Sequence, residues 1–232
     1  TADLTEPTLS MDVVDGGNLT QAVTLTDMMK NDQHSGTPVA GINGTFFDIN
    51  SSNAPLKTSV ASDGIRVGTD QPEPALTVSG AQAAIRELTA SGTVTINGQE
   101  HALSGVNRAQ LPENGIGVFT SVWGSYSLDR PVSNANSSLS PRIARASVVD
   151  GVVTDVSGMV AAAGDPNIDE GTQVLLGRED GADAVASLKV GDRVDIAVAP
   201  SADIDMGIVG SGQILKDGEV VQSDDGLSTN TH

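Results

Sequence analysis

Cysteine is absent from this chain of 232 residues, which excludes disulfides, thiol nucleophiles and Cys-ligated zinc. Aromatic residues are almost as scarce, with one Trp, one Tyr and three Phe, so the core must rest on Val, Ile, Leu and Ala. Basic residues are few: 12 Lys and Arg stand against 30 Asp and Glu, a net charge of −18. Phosphate backbones and anionic membranes recruit Lys and Arg clusters, so this balance excludes nucleic acid and acidic membrane surfaces as partners. No apolar run approaches the ~20 residues of a spanning helix, and no membrane span is expected. The three histidines, His34, His101 and His232, occur in unrelated segments without metal-ligand spacing. No transition-metal site and no cofactor are therefore expected. Asp203 with Asp205, and Asp48 with Asn50, have spacings found both in calcium loops and in ordinary solvated loops. No serine sits in a Gly-x-Ser-x-Gly context. The Asn-x-Ser/Thr triplets at Asn18, Asn43, Asn50 and Asn136 read as composition, not as glycosylation sites.

A hydrophobic content of 38% and a mean hydropathy of −0.06 suit a soluble protein with a packed core. Leu9, Met11 and Val13 alternate with polar neighbours and predict a first strand. Thr24 is placed to cap a short helix carrying Leu25, Met28 and Met29. Val39–Phe47 predicts a buried strand. Thr93–Ile96 followed by Asn97-Gly98 reads as a strand and turn, and Ile143–Val149, Asp150-Gly151 and Val152–Val156 predict a hairpin, because Asp-Gly suits a type I′ turn. Ala182–Leu188 predicts a short helix, and the alternation of Arg193–Val198 a strand. Asp-Gly pairs begin at positions 15, 63, 150, 180, 217 and 225, and their irregular intervals mark hairpins rather than a repeat. From Leu76 the local pattern is ambiguous, and Gly80–Leu88 carries helix-forming residues. No domain boundary is evident.

The richest stretch is Gly41-Ile42-Asn43-Gly44-Thr45-Phe46-Phe47-Asp48-Ile49-Asn50. An apolar run breaks at Asn43-Gly44, two of the few aromatics follow, and the polar Asp48 and Asn50 close it. A Pro-containing loop, Asn53 to Leu56, and the turn at Ser62-Asp63-Gly64 come next. This order is similar to that of the phosphodiester glycosidase family, which includes the enzyme removing N-acetylglucosamine from phosphodiester-linked mannose. Gly115–Thr120 with Trp123-Gly124, Val174–Arg178 running to Leu188–Asp192, and Val209–Leu215 with Asp217-Gly218-Glu219 resemble later family blocks in the same order.

That resemblance implies an α+β fold of mixed, mostly antiparallel β-sheet layers with a few short helices, and makes most of 75–120 strand. It implies hydrolysis of a sugar 1-phosphodiester or cell-envelope glycan by a secreted or envelope-associated bacterial protein. The family continues into an Arg-Thr-Ala strand, an Asp-Gly-Arg segment and a late Asn-Leu-Asp-Gly-Gly-Gly-Ser loop, none of which occurs here. Residues 1–232 thus resemble the N-terminal two thirds of one domain, incomplete without a C-terminal portion. The expected partner is the C-terminal fragment of the same precursor. The start at Thr1, with no initiator Met, is read as removal of a leader.

Glycosyl transfer to water needs stabilisation of an oxocarbenium-like transition state, while a phosphate leaving group needs little protonation. Asn43 is the candidate for bonding a sugar hydroxyl or phosphate oxygen, and Asp48 for orienting a hydroxyl or moving a proton; both also read as turn and cap residues. Gly44 and Thr45 belong to the same candidate site, although Thr45 also reads as strand packing. Trp123 reads as a sugar-stacking platform or as core. Gly210 and Gly212 would let a backbone approach a ligand and offer amides to phosphate. Two further readings stay open. One is a non-catalytic module that binds envelope glycan. The other is a self-processed hydrolase of the N-terminal-nucleophile kind, cleaved after His232, whose second chain would begin with its own nucleophile.

Overall fold

The computed structural model describes residues 2–31, 36–134, 138–210 and 215–221. Its described residues are mostly β-sheet. Helix is limited to two seven-residue segments, α1 (Leu25–Asn31) and α2 (Asp180–Ala186), with one 3-10 turn at Ser121–Trp123. The α+β expectation therefore holds only in its coarser part, sheets dominated by antiparallel pairing.

The strands in chain order are β1 (Ser59–Ala61), β2 (Gly64–Thr69), β3 (Glu73–Ser79), β4 (Gln82–Leu88) and β5 (Ala90–Ile96). They continue with β6 (Gln99–Leu103), β7 (Gly105–Val106), β8 (Ile116–Phe119), β9 (Ile143–Val149) and β10 (Val152–Val160). The last are β11 (Thr172–Arg178), β12 (Asp195–Pro200), β13 (Met206–Val209), β14 (Leu215–Lys216) and β15 (Glu219–Val220). Ten of them form one sheet in the order β10-β9-β11-β8-β7-β2-β1-β13-β3-β4, and β12-β5-β6 form a second. Every neighbouring pair in these two sheets is antiparallel except β7 with β8.

Local chemistry explains the hairpins. Asn97 and Gly98 have φ of 51° and 78°, and Asp150 and Gly151 have φ of 50° and 73°. These left-handed pairs match the twist of the strands they join. Thr24 caps α1 as expected, its hydroxyl accepting the Asp27 amide at 3.2 Å. The Gly80–Leu88 ambiguity resolves as strand, because β4 gains a complete ladder against β3. Tertiary pairing overrides propensity there.

The central strands β8, β9 and β11 bury both faces. Leu175 joins Val118, Ala144 and Ala146 under α2, where Ala182 and Val185 cover them. Val174 and Leu176 turn to the opposite face with Phe119, Trp123, Leu128, Val132 and Ile143, as the two-residue period of a strand requires. Phe119 and Trp123 meet edge to face, 5.2 Å between centroids at 89°.

Some expectations fail. Residues 9–13 form no strand, and Val39–Phe47 is irregular apart from an isolated bridge between Phe47 and Pro55. Val39 and Ile42 are 79% and 84% exposed, so the apolar run is not buried. Pattern alone cannot supply a ladder partner, and among the described residues Val39–Phe46 lies in no strand. The Asp-Gly pair at 150 forms a hairpin, as does that at 217. Asp180-Gly181 instead opens α2, and Asp15-Gly16 lies in irregular chain. The pair at 225 lies outside the described residues.

Candidate functional site

The sequence-derived site begins on the irregular segment Gly41–Asn50. Its second half forms a closed loop: the Leu56 amide donates to the Phe46 carbonyl at 2.9 Å, and the Asp48 amide to the Ala54 carbonyl at 2.9 Å. Asn50 and Asn53 turn the chain with φ of 63° and 60°, a conformation that Asn tolerates better than most residues.

Asp48 is the anchor of this loop, and it is 8% exposed. Arg130 donates Nε to Asp48 Oδ2 at 2.8 Å and Nη2 to Oδ1 at 2.9 Å. Ser52 donates its hydroxyl to Oδ2 at 2.6 Å and its amide to the same atom at 3.2 Å. Burial by itself would raise the Asp48 pKa. The Arg130 and Ser52 hydrogen bonds, with the guanidinium charge, outweigh it and hold the carboxyl below its ordinary value. A carboxylate so engaged stays ionised and orients its donors, and it is poorly placed to deliver a proton.

The bidentate pair uses the Nε/Nη2 edge of Arg130, which is the geometry that a planar fork favours. Its Nη1 edge makes no hydrogen bond among the described residues, and the side chain is 22% exposed. Tyr126, the only tyrosine, lies close by. Its hydroxyl is 3.3 Å from the hydroxyl of Ser51. Arg130, Tyr126, Ser51 and Ser52 thus gather around Asp48, although Arg130 and Asp48 are 82 positions apart in sequence.

The other sequence candidates are distributed differently. Asn43 is exposed and lies outside the Asp48 hydrogen-bond set. Gly44 backs onto β13 so closely that a Cβ there would lie 2.0 Å from Ile208 Cδ1. Thr45 has a buried hydroxyl with no hydrogen-bond partner among the described residues. Gly210 lies two residues beyond Ile208, so Gly44 and Gly210 share one strand end. The Gly210 amide, however, already donates to the Pro74 carbonyl at 3.3 Å, which corrects the expectation that it serves phosphate. Trp123 is also corrected as a sugar platform: it is 0% exposed, and its indole N–H donates to the Tyr126 carbonyl at 2.8 Å. A ring buried in the core has no free face for a sugar. Gly212 and His232 lie outside the described residues.

Sequence reasoning missed Arg130, Tyr126, Ser51 and Ser52. Only the scarcity of Arg and the single Tyr offered a signal. No group of three or more His, Asp or Glu among the described residues is arranged to hold a metal ion. An open depression of about 630 Å³ lies between α1 and Gly36–Pro38, lined by Thr26, Met29, Lys30 and Thr37. The residues named there supply no carboxylate or imidazole.

No protein-family model and no curated protein matches the chain. Solved structures that resemble it include the following two. The crystal structure of a hypothetical protein from Synechocystis aligns with a TM-score of 0.76 and 19% identity, over 98% of this chain and 42% of that one. A "putative exported protein" from Burkholderia pseudomallei aligns with a TM-score of 0.52 and 17% identity, over 72% of this chain and 40% of that one. At such identities the likeness establishes a shared fold, and this chain spans less than half the length of either protein.

Proposed function

We propose that this chain is part of a phosphodiester glycosidase-like hydrolase, exported to the bacterial envelope, and that its Asp48–Arg130 unit holds the phosphate of a sugar 1-phosphodiester. The observation carrying this reading is the split use of Arg130. One edge is locked by a buried carboxylate, leaving the Nη1 edge and the one uncommitted hydroxyl proton of the Tyr126–Ser51 pair as donors for a second, external anion. Asp48 is the positioning residue, since it fixes the guanidinium before substrate arrives. Asn43, which is exposed, is the candidate for a sugar hydroxyl. Leaving-group departure from phosphate requires little acid assistance, which suits a site whose carboxylate stays ionised.

In this reading the site is completed by a further segment of the same precursor, laid over the exposed Val39 and Ile42. The exported description of the Burkholderia protein supports the envelope location.

The test compares two substrate sets in the full-length protein. One is N-acetylglucosamine 1-phosphate esters, such as UDP-N-acetylglucosamine; the other is p-nitrophenyl glycosides without phosphate. Arg130→Lys keeps the charge but loses the fork, and should lower kcat/KM on the phosphate esters by about 10²-fold. The glycosides should change little. Equal rates for Arg130→Lys and wild type on the phosphate esters would remove Arg130 from phosphate recognition.

A further inference from the structure

The junction of β11 and α2 carries the spacing Gly177-Arg178-Glu179-Asp180-Gly181. Glu179 sits between strand and helix with φ 52° and ψ −116°, a conformation that side-chain-bearing residues avoid. Strain of this kind persists only where the surroundings impose it, and here both glycines do. A Cβ on Gly177 would lie 2.3 Å from the Gly181 carbonyl oxygen, and one on Gly181 would lie 2.3 Å from the Gly115 carbonyl oxygen. The two glycines therefore permit a strand-to-helix turn too tight for any other residue. Glycine-x-nucleophile-x-glycine between a strand and a helix is the construction that lifts a reactive side chain clear of a sheet edge. In this chain the lifted side chain is a carboxylate.

Its surroundings are polar and preorganised. Ser140 donates its hydroxyl to Glu179 Oε1, and Arg142 donates Nε to Oε2 at 3.3 Å. Arg142 is in turn fixed by Asp180 at 2.7 Å and by Asp183. The Glu179 side chain remains 20% exposed, so it is reachable from solvent. Arg178, next in the chain, is 7% exposed. Its Nη1 donates to the Leu111 carbonyl at 2.9 Å, and no carboxylate pairs with it among the described residues. Ser140 also links Glu179 to the segment carrying Arg130, because its amide donates to the Val132 carbonyl at 3.0 Å.

We propose that Glu179 is a catalytic carboxylate, the nucleophile of the glycosyl transfer suggested above, and the assignment rests on that reading. A Glu179 oxygen attacks the anomeric carbon, forming a glycosyl ester as the carbon–oxygen bond to phosphate breaks. The bonding pair leaves with the phosphate, which needs no proton. Water then attacks the anomeric carbon of the ester, returning the Glu179 carboxylate and free sugar, and the proton of that water passes to solvent.

The experiment uses the full-length protein with UDP-N-acetylglucosamine and related 1-phosphate esters. Glu179→Gly places at the elbow the residue that its backbone suits, so the melting temperature should stay within a few degrees of wild type or rise. Turnover should fall about 10³-fold or more, the scale of losing a group that acts in the chemical step. Added azide should restore sugar release from Glu179→Gly as a glycosyl azide of inverted configuration, which a merely structural carboxylate would not allow. Glu179→Gln should be equally inactive. Wild-type rates in Glu179→Gly overturn the assignment, and so does a loss of turnover that azide does not rescue. If Arg130→Lys still loses turnover in that case, the phosphodiester reading stands without Glu179. If wild type releases sugar from none of the esters, both fall together.

Discussion

Asp48 commits both carboxylate oxygens to Arg130 and adds Ser52 to one of them, so its effect on stability must depend on pH. Its folded-state pKa is depressed, whereas in the unfolded chain it reverts to the ordinary ~3.9. The stabilisation is thus fully present above the unfolded value and disappears as pH falls through the lower folded value. Asp48→Asn keeps the size and removes the charge, leaving Arg130 half-buried without its partner. At pH 7 it should destabilise the protein by about 3 kcal/mol, the lower end of the range for breaking a buried pair. Urea midpoints for wild type and variant should converge below about pH 4. A difference that stays constant down to pH 3 would mean that the ion pair contributes no measurable stability. The sequence flagged Asp48 through its motif but not its partner, because nothing local to Arg130 announces a contact made across 82 positions.

At the scale of elements, the legible parts were those fixed by short-range chemistry. Asn97-Gly98, Asp150-Gly151 and the Thr24 cap were all readable from a few neighbouring residues. The alternation of Arg193–Val198 likewise marks β12, whose burial alternates along Asp195–Pro200. What failed depended on distant partners: Leu9–Val13 and Val39–Phe47 have strand-like patterns and no ladder. Apolar alternation states which face would be buried, but not whether a neighbour exists to bury it. The two well-formed turns can be tested directly. Asn97→Ile and Asp150→Ile would force a β-branched residue to φ near 50°, costing about 1–3 kcal/mol each. Thr154→Ile, exposed in the adjacent strand β10, should change stability by less than about 0.5 kcal/mol. Chemical denaturation of the three variants checks this, and a neutral Asp150→Ile would contradict the turn.

For the whole molecule the governing quantity is charge, 30 acidic against 12 basic residues. Among the described residues its ion pairs are short-range contacts that include Arg66 with Asp15 and Asp63, Arg108 with Asp70, and Arg142 with three carboxylates. They neutralise patches of the surface while leaving a large excess of negative charge spread over it. Added salt acts on these two contributions unequally. The screening length is about 10 Å at 0.1 M and about 3 Å at 1 M. Contacts of roughly 3 Å are therefore weakened modestly, while repulsion between acids 10 Å or more apart is nearly abolished. With a net charge of −18, self-repulsion destabilises the compact state and is taken as the larger part. The urea midpoint should consequently rise between 0.1 and 1 M KCl at pH 7, and potassium chloride should act much as sodium chloride does. At pH 4.2, near the isoelectric point, the same salt increment should raise the midpoint far less, because the excess charge has been titrated away. A midpoint that falls with salt at pH 7 would mean that the local pairs, not the net charge, dominate the electrostatics of this fold.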